Sequence, residues 1–225
     1  MIQGETVPAG ALQKGRAAKL MLLRRVGGAV GDELQAQLQP LLLVHEVLQA
    51  ALARSGEVGT LREPAGLIKP AVQRALAAGA AATEWLLPRP GAHTPSTELA
   101  AECAALLRPE FTLCGLGVEL IVNGEPLPIE RDAGRTMVCA VLAHAGDHAP
   151  GPGRILVELA HRDAVCEVRV SHRRANEEFA SGHLAPQQPA MEWDDLLALA
   201  QLEGATLRRE GGETLVLELA VASGA

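Results

Sequence analysis

The chain has 225 residues, 48% of them hydrophobic, and a net charge of −7. That length supports one sizeable domain or two small ones with real cores. The acidic balance, together with two Phe, two Trp and no Tyr, excludes a nucleic-acid binder that tracks phosphates and stacks bases. It also means that the cores are built from Leu, Ala and Val, which favours helix.

Residues 1–15 carry Gly, Pro and polar residues without periodicity and read as a flexible N-terminal arm. From residue 16 to residue 54, Leu34, Leu38, Leu41, Leu42, Val44, Leu48 and Leu52 recur at helical spacings. Gly27, Gly28, Gly31 and Pro40 weaken this helix, leaving one helix or two pieces open. Residues 55–64 (SGEVGTLREP) read as a turn, and residues 64–87 as a second, Ala-rich helix. The two make a helical hairpin over 16–88 whose apolar faces are too broad for two helices to cover. A homodimeric four-helix bundle is therefore expected.

After the linker PRPGAHTPS (88–96) the composition shifts. Helices are predicted over 97–107, 135–144 and 193–202, and a strand over 117–124. RILVELAHRD and AVCEVRVSHR alternate as a hairpin turning at Arg162 and Asp163, and ATLRREGGETLVLELAV as another turning at Gly211 and Gly212. The fold class read from this order is α+β, a helical hairpin followed by an α/β sandwich over 97–225.

Cys103, Cys114, Cys139 and Cys166 stand singly, without Cys-x-x-Cys spacing, and read as buried reduced thiols of a cytoplasmic protein. No unbroken apolar run approaches the roughly 20 residues that span a bilayer. No membrane partner is expected.

The order and spacing of several motifs resemble histidine kinases whose ATP-binding domain is of the GHKL type. GDELQAQL is similar to the family's acceptor box, with Gly31 where the phosphorylated His stands. RTMVCAVLAHAGDHA resembles the asparagine-box helix, EVRVSHR the strand ending in the nucleotide-binding Asp and Gly, and LEGATLRREGGETLVLEL the final Gly-Gly hairpin. The resemblance runs from about Val30 to the C-terminus. It implies a dimerisation and phosphotransfer hairpin followed by a GHKL-type ATPase-like domain.

The departures fall on the residues that do chemistry. The resemblance implies a magnesium-binding Asn and a Glu one turn earlier where His144 and Ala140 stand, and an adenine-recognising Asp where His172 stands, followed here by Arg173 and Arg174. It implies a lid of Gly-x-Gly repeats, where RANEEFASGHLAPQQPAMEW offers one Gly and three Pro. Magnesium and phosphate need hard oxygen ligands that imidazole does not replace. The expectation is a degenerate domain that keeps the fold, binds no ATP and takes no cofactor or metal.

His45 lies fourteen residues after Gly31 on nearly the same helix face, and Glu46 follows it. It is the candidate phospho-acceptor, with Glu46 to orient the ring; the alternative is a partly buried His among Leu41, Val44 and Leu48. His144 and His148, at i and i+4, either hold a metal or serve structural and capping roles. His172 with Arg173 and Arg174 makes either an anion-binding patch or a solvated strand edge. His161 and His183 fall in polar turns, and no Ser-His-Asp set is discernible. Two functions follow as expectations. One is a homodimer that docks a response-regulator receiver domain or a sensor histidine kinase without ATP. The other is a histidine phosphotransferase, a class the chain resembles, relaying phosphoryl groups through His45.

Overall fold

A computed structural model of the protein describes residues 9–55, 62–162, 164–174 and 188–221. It divides into two compact units, Gly27–Pro88 and a second formed by Met1–Val26 with Arg89–Ala225. The boundary at Val26 lies within the first helix, whereas the sequence pattern placed it at residue 15.

Helix α1 (Ala9–Ser55) runs unbroken for 47 residues, with Pro40 inside it. Its start at Ala9 corrects the reading of 1–15 as an arm for residues 9–15; residues 1–8 lie outside the described residues. The reason is tertiary. Gly15, Ala18, Leu22, Arg25 and Val26 are buried at spacings of three, four and one. A Cβ at Gly15 would stand 2.6 Å from the Ala198 carbonyl oxygen, so only glycine permits this close crossing. Lys14 pairs with Asp194 at 3.3 Å and Lys19 with Glu203 at 2.7 Å.

In the Gly27–Pro88 unit, α1 shields Val30, Leu34, Gln37, Leu41, Val44 and Leu48 at alternating spacings of four and three. Helix α2 (Arg62–Leu86) buries Ala71 and half-buries Ala75, Ala78 and Gly79. Leu34 reaches within 4.0 Å of a Cβ placed on Gly79. The rest of the apolar surface stays open: Leu38, Leu42, Leu43 and Val47 on α1 and Leu67, Ile68, Val72 and Leu76 on α2 are exposed, Leu42 by 65% and Leu76 by 68%. The turn between the helices lies outside the described residues over 56–61.

The second unit is an α+β sandwich. Strands β2 (Leu116–Asn123), β4 (Gly153–Arg162), β5 (Val165–Arg174), β6 (Thr206–Glu210) and β7 (Thr214–Ala220) form one sheet in the order β2-β4-β5-β7-β6. β2 runs parallel to β4, and the other pairs are antiparallel. Two three-residue strands, β1 (His93–Pro95) and β3 (Pro128–Glu130), pair separately. Helices α3 (Ser96–Leu113), α4 (Arg131–Asp147) and α5 (Trp193–Glu203) supply the other layer.

Register puts Ile155, Val157 and Leu159 beside His172, Val170 and Val168, and Val170 and Val168 beside Leu215 and Leu217. This is the apolar face, closed by Leu99, Leu107 and Phe111 of α3, Met137 and Leu142 of α4, and Leu196 and Leu199 of α5. The four cysteines are buried in this unit as free thiols. On the opposite face Glu167 takes Arg169 at 2.6 Å and Arg208 at 3.2 Å, and Arg169 also reaches Glu210 at 2.8 Å. Glu167 and Arg169 lie two residues apart on β5, whereas Arg208 and Glu210 reach them from β6.

Helix ends follow local chemistry. Glu130 Oε2 accepts from Ala133 N at 2.6 Å and starts α4. Glu192 and Asp195 form a capping box on α5, which stops at Gly204 with φ 69°. Helix α3 extends six residues beyond the predicted end at Leu107. Pro109 removes one backbone donor, but Phe111 is buried and Glu110 is tied to Arg25, and these tertiary contacts override the break. His161 belongs to β4 and bonds Ser96 Oγ through Nε2 at 2.9 Å, which corrects its placement in a polar turn.

Candidate functional site

Three of the elements singled out in the sequence converge on one cavity. Its walls are the end of α4 (His144, Ala145 and His148), Pro150, the end of β5 (Ser171 and His172), and the β6–β7 hairpin (Arg209, Gly212, Glu213 and Leu215). The volume is about 260 Å³.

His144 is buried because α4 turns that face inward under α5. Its Nδ1 lies 2.6 Å from the Met191 carbonyl. A carbonyl only accepts, so Nδ1 carries the proton and Nε2 is left as an acceptor. Arg209 donates to that Nε2 from 3.4 Å, and its guanidinium lies 4.2 Å from the centroid of the Trp193 ring. One turn on, the His148 ring sits 4.2 Å from that of His144. His148 Nδ1 donates to the His144 carbonyl at 3.0 Å, and Nε2 stands 3.5 Å from Glu192 Oε2.

Below this pair lies a buried ionic cluster. Arg25 donates to both carboxylate oxygens of Asp147, each at 2.7 Å, and to both oxygens of Glu110. Asp147 Oδ2 also accepts from Met191 N at 2.8 Å. Met191 is thus held by both its N–H and its carbonyl, and the chain enters α5 at a fixed angle. The two carboxylates raise the Arg25 pKa despite the opposing effect of burial.

Burial pushes the His144 pKa below its ordinary value, and the neighbouring His148 and Arg209 add to this against the Met191 hydrogen bond. Burial likewise lowers the His172 pKa, with Arg174 adding to it. His172 Nε2 is buried without a hydrogen-bond partner, and a Cβ on Gly153 would stand 2.7 Å from it. Near pH 7 both rings are therefore neutral. Among the described residues no group of three or more His, Cys, Asp or Glu could hold a metal ion. His144 and His148 form a stacked, hydrogen-bonded pair.

The resemblance-derived positions are partly brought together. His144 and His172 share the cavity; Ala140 is buried inside α4, and Arg173 and Arg174 are exposed beyond the cavity wall. Most of the lid segment (175–187), with His183, lies outside the described residues. His45 and Glu46 belong to the hairpin unit, and both are exposed. The reading of His45 as a partly buried ring is corrected: Val44 takes the shielded position, and His45 turns outward. Its Nε2 lies 3.2 Å from Gln49 Nε2, and an amide nitrogen only donates, so that ring nitrogen accepts. Gly31 is exposed, with nothing within 4 Å of a Cβ placed there.

Arg25, Met191, Trp193 and Arg209 carry the geometry and were not singled out from the sequence. Arg209 left a trace, since β6 alternates and places it on the same face as Leu207. Arg25 left none, being 85 and 122 residues from its partners.

No family model matches the chain. No curated protein matches it. Solved structures do align with it. A histidine kinase from Burkholderia phymatum is similar over 97% of this chain and 100% of its own, at 14% identity and a TM-score of 0.45. The histidine kinase AdeS of Acinetobacter baumannii is similar over 82% of this chain and 96% of its own, at 9% identity and a TM-score of 0.42. A bacterial phosphotransferase aligns over 87% of this chain and 95% of its own, at 17% identity and a TM-score of 0.38. At these values the function has to be argued from the chain's own residues. No helix among the described residues is long and apolar enough to cross a membrane.

Proposed function

We propose that this is a two-component signalling protein of degenerate histidine kinase-like build that acts by docking. A homodimer formed through the Gly27–Pro88 hairpin offers its remaining helical surface to a receiver domain or a sensor kinase. The observation that carries this is the open apolar face of the hairpin, with Leu38, Leu42, Val72 and Leu76 all exposed. Soluble chains rarely leave so many large aliphatic side chains on one element uncovered. Pairing two hairpins into four helices covers them and leaves a polar rim for a partner.

The cavity supports a domain without ATP chemistry. Where the resemblance implies Asn, Glu and Asp, the walls offer imidazoles and a guanidinium, with Glu213 as the one carboxylate among the lining residues. A nucleotide with its magnesium needs more oxygen ligands than this. The test is incubation with radiolabelled ATP and magnesium, then titration with receiver domains from the same genome. The expected outcome is saturable receiver binding with no label on the chain. Label transferred from ATP, or no receiver bound, would refute the reading.

A second reading, histidine phosphotransfer, is favoured by the exposure of His45 and Glu46. An accessible imidazole nitrogen can attack a receiver's aspartyl phosphate; the N–P bond forms, the acyl O–P bond breaks, and the aspartate leaves ionised. The receiver supplies the magnesium. Incubation with a phosphorylated receiver, with and without His45→Ala, separates the readings. Label on the unchanged chain alone supports transfer, and label on neither supports docking only.

A further inference from the structure

We infer that the cavity at the end of α4 is a binding site for a small oxyanion, held by the guanidinium of Arg209 beside His144 and His148. This inference does not depend on the docking reading.

Arg209 differs from the other well-held arginines of its unit. Arg25, Arg135, Arg154, Arg169 and Arg208 each pair with a carboxylate. Arg209, by contrast, is fixed by an aromatic face and a neutral ring, Trp193 at 4.2 Å and His144 Nε2 at 3.4 Å. Neither neutralises it, and no carboxylate pairs with it among the described residues. One of its five N–H donors is spent on His144, and the guanidinium fork is oriented at the cavity wall before any ligand arrives. Fork-shaped donors held in this way suit the paired oxygens of a carboxylate or phosphate.

Size and charge narrow the class. At about 260 Å³ the cavity is smaller than the sites that enclose drug-sized ligands. It suits an ion such as phosphate or a short carboxylate. The titratable groups on its wall are His144, His148, His172, Arg209 and Glu213. Asp147, behind the wall, is engaged by Arg25 together with Glu110. Glu213 on the wall and Glu192 beside His148 stand to oppose an incoming anion. The anion overcomes them through the remaining N–H donors of Arg209, whose charge the Trp193 ring and the neutral His144 nitrogen leave uncompensated.

The test uses the whole chain with labelled histidine and arginine side chains, followed by NMR. Sodium phosphate and sodium acetate are titrated in separate arms against sodium chloride at matched ionic strength, at about pH 7. Saturating shifts at His144, His148 and Arg209 are expected in at least one arm. Arg209→Gln weakens that binding by about tenfold or more, and Arg209→Lys recovers only part of it. Glu213→Gln, at an exposed position on the cavity wall, removes an opposing charge and tightens binding while leaving the fold intact; it carries the test if Arg209→Gln fails to fold. Linear shifts in both arms, or binding unchanged in Arg209→Gln and Glu213→Gln, would overturn the inference. So would ADP with magnesium binding more tightly than either ion, a result that would also break the ATP-free reading; a failure of dimerisation or receiver binding would leave this site untouched.

Discussion

The sheet-bearing unit and the hairpin unit solve the same problem of burying aliphatic side chains, with opposite degrees of completeness. In the sheet unit Phe111, Leu107, Met137, Ile155, Leu199 and Leu217 are fully enclosed, and its buried Arg25 and Asp147 are matched to each other. The hairpin shields only a single seam around Val30, Val44 and Ala71 and exposes nine large aliphatic side chains among its described residues. A unit that closes its own core needs no partner, whereas one that leaves a stripe open is built to be covered. The contrast locates self-sufficiency in one region and association in the other.

The largest expected effect tests the self-sufficient side. Arg25→Met strips the buried Asp147 of its counter-charge, and breaking a buried pair in this way costs about 3–5 kcal/mol. Chemical denaturation measures it, and a loss below about 1 kcal/mol would mean that the cluster is not holding α1 to α3 and α4. The next effect tests the associating side. Leu42→Asp places a charge where a Leu is to be buried, forfeiting about 1.5–3 kcal/mol per copy. The variant should sediment as a monomer at concentrations where the parent is dimeric.

A smaller effect tests the close approach of β4 to His172. A Cβ on Gly153 would collide with the Arg173 carbonyl and stand 2.7 Å from His172 Nε2. Gly153→Ala should cost about 1–3 kcal/mol, read as a lower unfolding midpoint with the dimer unaffected. The smallest is a pH effect. His144 has a folded pKa below its ordinary value of 6.5, so the unfolded chain binds the proton first. Stability is full above that value and falls as pH drops through it towards the folded pKa. His144→Gln should flatten this acid limb, and an unchanged slope would assign it to other groups, His172 first.

The parts of the fold visible in the sequence were those with local periodicity. The two β-hairpins, α4 and α5 follow from alternation, from helical spacing and from the Gly211–Gly212 turn. What local pattern cannot show is a long-range contact that overrules it. Pro109 looks like a helix end until Glu110 is seen bound to Arg25. Gly15 looks like loop composition until Ala198 is seen against it. The strands β1 and β3 are too short and too rich in Pro to register. The candidate site was legible to the same extent: His144 and His172 were singled out and share a cavity, but Met191, which fixes the tautomer of His144, lies 47 residues away. Arg209 looked like one arginine among several because its partners are a ring face and a neutral nitrogen rather than an acid.

The docking reading requires the open stripe of the hairpin to be covered by a second copy. The most direct measurement is the mass of the chain in solution by light scattering coupled to gel filtration, run beside Leu42→Asp. With 23.5 kDa per chain, the account predicts a species of twice that mass for the parent and a single-chain mass for the variant. A parent that stays at the single-chain mass at every concentration tried, with Leu42 and Leu76 still open to solvent, would contradict it.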